Sequence, residues 1–192
     1  MLRGVFLGLN KSVPFSMLIK SGGIFGPDGK PMMDLGILTR EQKGVMGDLF
    51  GERSVQQMVP EGQKLAWVPG VGETGVDDLY KVNRPDVDFV IIEYKFVGDN
   101  KKSGSSGLGN TQDGKQGSID WTLGGDRLVR AVGRDKSRDV RVAAETNRTE
   151  TWVVRTRPDG STEIEVLDAR GKVKDMDTSK ILPSKNLNGV LP

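Results

Sequence analysis

The spacing of apolar and polar residues predicts one long helix near the start of the chain. Residues 39–59 read TREQKGVMGDLFGERSVQQMV, and Thr39 followed by Gln42 forms a capping-box pattern that predicts the first turn. Three glycines at spacings of three and four share one face of this helix: Gly44, Gly47 and Gly51. Because each glycine costs about 1 kcal/mol relative to alanine in a helix, we expect that face to pack closely against a sheet.

Short apolar runs predict the strands. KLAWV is a short strand, and VDDLYKV and VDFVIIEYKFV form a hairpin joined around NRPD. Residues 115–135 predict one or two helical segments broken at Gly124 and Gly125. Three later segments alternate with period two and carry turn residues, which predicts a C-terminal β-meander: DVRVAAE, ETWVVRTRPDG and TEIEVLD. The elements together predict an α+β fold.

The length of 192 residues favours a single domain with a sizeable core. Residues 1–38 are punctuated by Gly and Pro and are interpreted as an extension or linker from a longer polypeptide; residues 39–192 form the domain. The apolar run GVFLGL is short for a signal peptide, and no A-x-A site follows it. No stretch approaches the roughly 20 apolar residues of a membrane span.

Two absences from the composition restrict the chemistry. The chain has no cysteine and no histidine. Ser-His-Asp and Cys-His nucleophile arrangements are excluded, and so are zinc sites built on His or Cys. Any hydrolytic activity must therefore rest on carboxylates, lysine or a hard cation such as Mg²⁺. The net charge is only +2, so attraction to a polyanion would need local clustering of positive charge.

Glu93 and Lys95 stand in the middle of an otherwise apolar strand, VDFVIIEYKFVG. Residues two apart on a strand point to the same face, and burying each ion costs several kcal/mol unless it finds a partner. With the turn centred near Pro85, antiparallel pairing places Asp77 opposite Glu93, with Cβ atoms about 5 Å apart. Two carboxylates at that spacing repel each other unless a cation lies between them, so a divalent ion is the expected partner.

Two other aspartates bear on this register. Asp86 belongs to the literal Pro85-Asp86 dipeptide, but on a shared strand it would lie about 23 Å from Glu93, which is too far to share an ion. A shift of the turn by half a residue would instead bring Asp78 opposite Glu93. The choice between Asp77 and Asp78 stays open at this point.

The ordered set of these motifs resembles the PD-(D/E)xK nuclease superfamily. More specifically, GVDDLYKVNRPDVDFVIIEYKF, followed by LGNTQDGKQGS and DRLVRAVG, is similar to the nuclease domains at the C-termini of bacterial polymorphic toxins, of the contact-dependent inhibition and Rhs types. The resemblance covers roughly residues 39–136. It implies a restriction-endonuclease-like fold, with a central mixed sheet flanked by helices. It also implies Mg²⁺ or Mn²⁺ as cofactor, Asp77 and Glu93 as metal ligands, and Lys95 as the catalytic lysine.

The resemblance also implies two further groups at the site. A helix acid often completes the metal site, and Asp48 and Glu52 both qualify because residues four apart share a helix face; Glu52 is slightly favoured. Gln116 matches the position of a polar residue on a helix beside the active site, where its amide would touch a phosphate or a metal-held water. Solvated helix charge and polar surface are the competing interpretations.

Basic residues cluster after the predicted site. Between Arg127 and Arg141 there are six basic residues against two acidic ones. Arg127, Arg130 and Arg134 fall at i, i+3 and i+7, which predicts one helical face suited to phosphate contacts. Lys101 and Lys102 lie earlier in the chain, in a Gly/Ser-rich loop, and could contact the same nucleic acid. A solvated charged face is the competing interpretation.

The sequence therefore predicts a Mg²⁺- or Mn²⁺-dependent endonuclease that hydrolyses phosphodiester bonds in nucleic acid, with DNA favoured over tRNA. The resemblance implies a toxin secreted as part of a larger polypeptide, acting in the cytoplasm of a target bacterium and blocked by a cognate immunity protein. The alternative function is a non-catalytic module of a secreted effector that binds nucleic acid or protein. A structural adaptor with Glu93 and Lys95 as an ordinary ion pair is a third interpretation.

Overall fold

A computed structural model of the chain describes residues 26–27, 30–66, 75–98 and 102–176. Five strands form one sheet in the order β1-β2-β3-β6-β7: β1 (Gln63–Lys64), β2 (Asp78–Lys81), β3 (Phe89–Phe96), β6 (Thr149–Thr156) and β7 (Thr162–Leu167). The β3–β6 pair is parallel and the other pairs are antiparallel. The predicted α+β fold with a mixed sheet flanked by helices is confirmed.

The helix predicted from the capping box is α1 (Arg40–Met58). The Thr39 hydroxyl accepts the Gln42 amide at 3.3 Å, and the Gln42 side chain accepts the Thr39 amide at 2.9 Å, so both halves of the box are formed. These bonds satisfy backbone donors that have no partner within the first helical turn. The expected close approach to the sheet is present at Gly47, where an added β-carbon would lie 3.2 Å from the Phe96 nitrogen.

The two faces of the sheet bury separate apolar layers. One face packs against α1 through a core that includes Val55, Tyr94 and Trp152. The other face packs against α2 (Ile119–Leu123) and α3 (Arg127–Glu145), with Ile91 and Trp121 in its core. Because side chains alternate along β3, Glu93 and Lys95 lie on the same face as Ile91, on the side of α2 and α3.

The segment between β3 and α2 lies on the face that carries Glu93. It contains a short 3-10 helix (Gly104–Gly107) and a two-stranded hairpin, β4 (Asn110–Thr111) with β5 (Gly114–Lys115). Leu108 of this segment packs with Val153 and Leu167. The segment therefore covers the sheet beside the candidate site.

Part of the predicted N-terminal extension packs on the domain. Leu35, in a 3-10 helix (Leu35–Ile37), is fully buried and forms an apolar cluster with Leu38, Met46 and Phe50. Residues 1–25 lie outside the described part of the chain, so the boundary at residue 38 stays a prediction. In the described residues, no helix combines the length and apolarity that crossing a membrane requires.

One predicted strand is wrong. The segment DVRVAAE belongs to α3, which continues to Glu145. Val140, Ala143 and Ala144 are buried at helical spacing, whereas Val142, which a strand would bury with Val140, is 59% exposed. The alternation of apolar residues in this segment was thus misleading, because their burial follows the period of a helix. The C-terminal strands are the β6–β7 hairpin, extended by a bridge between Leu167 and Val173. The predicted helix break at Gly124 and Gly125 separates α2 from α3, as expected.

Gly51 offers a test of the packing of α1 on the sheet. A β-carbon at this position would lie 2.3 Å from Cδ1 of the Tyr94 ring. Overpacking a core costs about 1–3 kcal/mol, against about 1 kcal/mol gained from helix propensity. We expect Gly51→Ala to lower the free energy of unfolding measured in urea. The matched control is Gly98→Ala, which meets no atom within 4 Å and should change stability by less than about 0.5 kcal/mol.

Candidate active site

The β2–β3 hairpin has the register that brings Asp77 beside Glu93. Asp78 pairs with Ile92 and Leu79 pairs with Ile91, so the next position places Asp77 opposite Glu93. The Asp77 carboxylate accepts the Tyr94 amide at 2.8 Å, which fixes it against β3. Asp78 is buried on the other face, where it meets the Tyr94 hydroxyl. Of the two aspartates that the sequence left open, the structure therefore brings Asp77 to Glu93.

Lys95 joins the two carboxylates. Its Nζ lies 3.3 Å from Oε2 of Glu93 and 3.7 Å from Oδ2 of Asp77. The Glu93 side chain is fully buried, whereas Asp77 and Lys95 keep 22% and 21% of their side-chain surfaces exposed. The predicted meeting of Asp77, Glu93 and Lys95 on one face is therefore confirmed, and solvent reaches the group from the side of Asp77 and Lys95.

Gln116 reaches the same group from a neighbouring segment. Its Nε2 donates to Oε2 of Glu93 at 2.5 Å. The expectation that Gln116 lies on a helix is wrong. Gln116 follows β5 in the turn before α2, where its backbone N–H donates to the Gly109 carbonyl at 2.8 Å. The turn requires Gly117, whose φ of 81° is in the left-handed region. A turn, rather than a helix, therefore places the side-chain amide of Gln116 at Glu93.

One oxygen of Glu93 is left without a hydrogen bond. Lys95 and Gln116 both donate to Oε2, while the buried Oε1 has no partner. A buried polar atom without a partner is costly, and such atoms are uncommon in folded proteins. Oε1 is therefore an available oxygen donor beside a second carboxylate, Asp77.

The site has more carboxyl groups than basic groups. Burial, followed by the charge of Asp77, raises the pKa of Glu93 to about 8. Burial also raises the pKa of Asp77, although Lys95 and the Tyr94 amide oppose the shift. For Lys95, burial lowers the pKa, but the nearby carboxylates outweigh it and the net shift is upward, which keeps the ammonium charged. One lysine thus lies beside two carboxyl groups whose pKa values are both raised, so this pair gives up its protons less readily than free carboxyl groups do.

Of the two helix acids, Asp48 is the one whose charge acts on the site. Burial, followed by the charge of Asp77, raises the pKa of Asp48 to about 6, although Lys95 opposes the shift. Glu52, the slightly favoured candidate, instead places its carboxylate 2.6 Å from Lys64. The geometry therefore favours Asp48 over Glu52, because the Lys64 ammonium already holds the Glu52 side chain.

The donors of the site suit a hard divalent cation. Within the described ranges, no group of three or more Asp, Glu, His or Cys side chains is arranged to hold a metal ion. Mg²⁺, however, is usually held by only one or two protein carboxylates, with water and substrate phosphate completing its shell. Asp77 and Glu93 supply that number, and the free Oε1 of Glu93 is one of the oxygens. Their chemistry therefore fits the expected Mg²⁺ or Mn²⁺.

The predicted arginine stripe is interrupted. Gly133 has φ 77° and ψ 169°, so α3 is kinked and Arg134 is out of phase with the residues before the kink. Arg127 is largely buried by its contacts: its Nη1 lies 2.7 Å from Asp113 Oδ2, and its guanidinium lies 4.9 Å from the centre of the Trp121 ring. The expectation of one continuous face is therefore wrong.

The remaining predicted contacts to nucleic acid are on the surface or undescribed. Arg130 is 54% exposed and pairs with Asp126 at 2.9 Å. Arg134 and Lys102 are exposed, and Lys101 lies outside the described residues. Their role in binding nucleic acid stays a prediction.

Sequence reasoning missed a second charged group behind the hairpin. Lys64 Nζ lies 2.9 Å from Asp78 Oδ2 and 2.6 Å from Glu52 Oε1. The doublet Asp77-Asp78 carried a signal for Asp78, because adjacent strand residues face opposite sides. Lys64 carried no such signal, since β1 has only two residues and its pairing with Tyr80 is set by the fold.

Comparison of the chain with protein-family models, with curated proteins and with solved structures gives no match. Its function is therefore inferred from the geometry of the site.

The pKa of Glu93 predicts an unusual pH dependence of stability. The unfolded chain releases this proton near the ordinary value of 4.5, whereas the folded chain keeps it until about pH 8. The folded state is therefore progressively disfavoured as pH rises between these values. The chain has no histidine to titrate in this window. Urea unfolding at pH 5, 6.5 and 8 without divalent cations should show decreasing stability.

Glu93→Gln isolates this contribution. The amide cannot ionise, so we expect a shallower loss of stability with pH; the raised pKa values of Asp48 and Asp77 leave a smaller slope of the same sign. Parallel pH profiles for the wild type and Glu93→Gln would contradict the charged environment described for Glu93.

Proposed function

We propose that this domain is a metal-dependent nuclease that hydrolyses phosphodiester bonds. The observation that carries the proposal is the convergence of Asp77, Glu93 and Lys95 on one sheet face, with Lys95 Nζ at 3.3 Å and 3.7 Å from the two carboxylates. The uncoordinated Oε1 of Glu93 adds to it. This combination suits a reaction that needs a hard cation and a fixed positive charge near a phosphate.

The residues of the site have different roles in this proposal. Asp77 and Glu93 would hold the cation, with Asp48 as a further acid within electrostatic range. When bound, Mg²⁺ or Mn²⁺ supplies Lewis-acid stabilisation of the phosphoryl charge. Gln116 donates to Oε2 of Glu93 and so orients this carboxylate, and Oε1, which has no hydrogen-bond partner, would be the oxygen that holds the cation.

Lys95 acts as a cation in this proposal. Its raised pKa keeps Nζ protonated at neutral pH, so it serves as a hydrogen-bond donor to the charge that develops on phosphate and not as a base. In the hydrolysis, a bond forms from a water oxygen to phosphorus and the ester P–O bond breaks, and the leaving oxygen takes a proton. The ammonium lies where it can stabilise the charge on the phosphate during this exchange.

The biological setting in the proposal rests on the resemblance to polymorphic-toxin nucleases. It comprises delivery as part of a larger secreted toxin, action on DNA, with tRNA as the alternative substrate, in the cytoplasm of a target bacterium, and a cognate immunity protein as partner. A second candidate, a non-catalytic nucleic-acid-binding module, is favoured by the exposed basic residues of α3, which include Arg130, Arg134, Lys136 and Arg138. Cleavage separates the two functions.

The decisive assay incubates the protein with plasmid DNA and with total tRNA, in Mg²⁺ or Mn²⁺ and in EDTA. We expect cleavage of at least one substrate, abolished by chelation. Asp77→Asn, Glu93→Gln and Lys95→Met each remove one charge at nearly constant size, so each should reduce the rate by about 100-fold or more while the far-ultraviolet circular dichroism spectrum is preserved.

Two matched controls come from the same hairpin. Asp86→Asn changes an exposed aspartate of the Pro85-Asp86 dipeptide, and Lys81→Met changes an exposed lysine of β2. Both should keep wild-type rates. Binding of nucleic acid without cleavage would support the non-catalytic module instead, and cleavage that persists in EDTA or in Asp77→Asn would exclude the proposed mechanism.

A further inference from the structure

A second network of charged and polar groups lies directly behind the candidate site. Lys64 Nζ is 2.9 Å from Asp78 Oδ2 and 2.6 Å from Glu52 Oε1. Asp78 is fully buried and also accepts the Tyr94 hydroxyl at 3.0 Å and the Leu79 amide at 2.9 Å. Unlike Glu93, Asp78 has hydrogen-bond partners on both carboxylate oxygens, and these partners hold its side chain in one position.

This network is covalently adjacent to the site. Asp77 and Asp78 are consecutive residues whose side chains lie on opposite faces of the hairpin, one at Lys95 and the other at Lys64. Holding the Asp78 carboxylate therefore restricts the backbone from which the Asp77 side chain projects.

Tyr94 connects the two aspartates. Its backbone amide donates to Asp77 Oδ2 at 2.8 Å, and its hydroxyl donates to Asp78 Oδ2 at 3.0 Å. The ring is held from the side by α1, because the missing side chain of Gly51 leaves the space that the ring fills. Tyr94 also lies between Glu93 and Lys95 in β3, so the bonds that hold Tyr94 hold the part of the strand that carries both of these residues.

We propose that Lys64, Glu52 and Asp78 form a positioning network that acts through Tyr94 to fix the Asp77 carboxylate at the candidate active site. Lys64 and Glu52 do not reach the reacting groups, so they are positioning residues and not catalytic ones. This role also accounts for Glu52, the helix acid whose carboxylate is directed to Lys64. The inference rests on the proposed function only for its activity readout.

The test uses Tyr94→Phe and Lys64→Met in the full chain. Tyr94→Phe removes only the hydroxyl and keeps the ring against Gly51, whereas Lys64→Met removes the charge and keeps the length of the stem. Amide hydrogen exchange measured by nuclear magnetic resonance reports the bond between the amide at position 94 and Asp77 without any need for activity. We expect protection of that amide to fall about tenfold or more relative to the other amides of β3, the equivalent of about 1.4 kcal/mol.

Kinetics provide the second readout. In both variants kcat for the cleaved substrate should fall at least tenfold with KM for nucleic acid unchanged, and Lys64→Arg should restore most of kcat because it keeps the ion pairs. Combining Tyr94→Phe with Lys64→Met should cost less than the two single effects together, since both act on Asp78.

The control is Arg84→Met in the turn of the hairpin, which removes an ion pair with Glu150 at 2.8 Å and leaves the contacts of Asp77, Asp78 and Tyr94 in place. It should lower global stability without a selective effect at position 94. A uniform change in all β3 amides, with kcat unaltered, would overturn the positioning role. A wild type that cleaves nothing would refute the proposed function instead, and the exchange measurement would still decide whether the network fixes Asp77.

Discussion

The buried carboxylate of Glu93 is the constraint on which the rest of the site depends. It is fully buried beside Asp77, with one lysine and one amide as partners and one oxygen without any. Burial of an ionisable group in this way is costly unless its charge is compensated. Among the described residues only Lys95 pairs with Glu93, so the raised pKa keeps this carboxyl protonated up to about pH 8. Solvent reaches the group through Asp77 and Lys95. Strongly shifted pKa values produced by burial and a neighbouring like charge are typical of functional sites.

The surrounding structure is rigid where the site needs precision. On the covering side, Glu165 of β7 accepts the backbone amides of Gly104 and Ser105 at 3.1 Å and 2.8 Å, which pins the segment that packs on Lys95 and leads to Gln116. On the opposite side of the sheet, Tyr94 and Asp78 hold the hairpin against α1. The charged groups thus lie between two layers that are each fixed by hydrogen bonds and packing.

Local sequence signals predicted the parts of this structure that local physics decides. The capping box located α1, and antiparallel pairing about a turn near Pro85 placed Asp77 opposite Glu93. Both predictions succeeded because the helix start and the hairpin register each depend on a few neighbouring residues. The prediction failed where tertiary packing decides. Residues 139–145 are helical because Val140 and Ala143 are buried against the sheet. Arg127 does not join an exposed basic face because it contacts Trp121 and Asp113. Glu52 and Asp48 could not be separated, since the choice depends on Lys64, which reaches Glu52 only through the pairing of β1 with β2.

Titration of the protein with Mn²⁺, followed by calorimetry at neutral pH, tests most directly whether these carboxylates exist to hold a cation. The wild type should bind Mn²⁺ at a defined stoichiometry, and Asp77→Asn and Glu93→Gln should each lose that binding, while Asp86→Asn keeps it. No binding by the folded wild type, or equal binding by all four proteins, would contradict the assignment of Asp77 and Glu93 as the ligands.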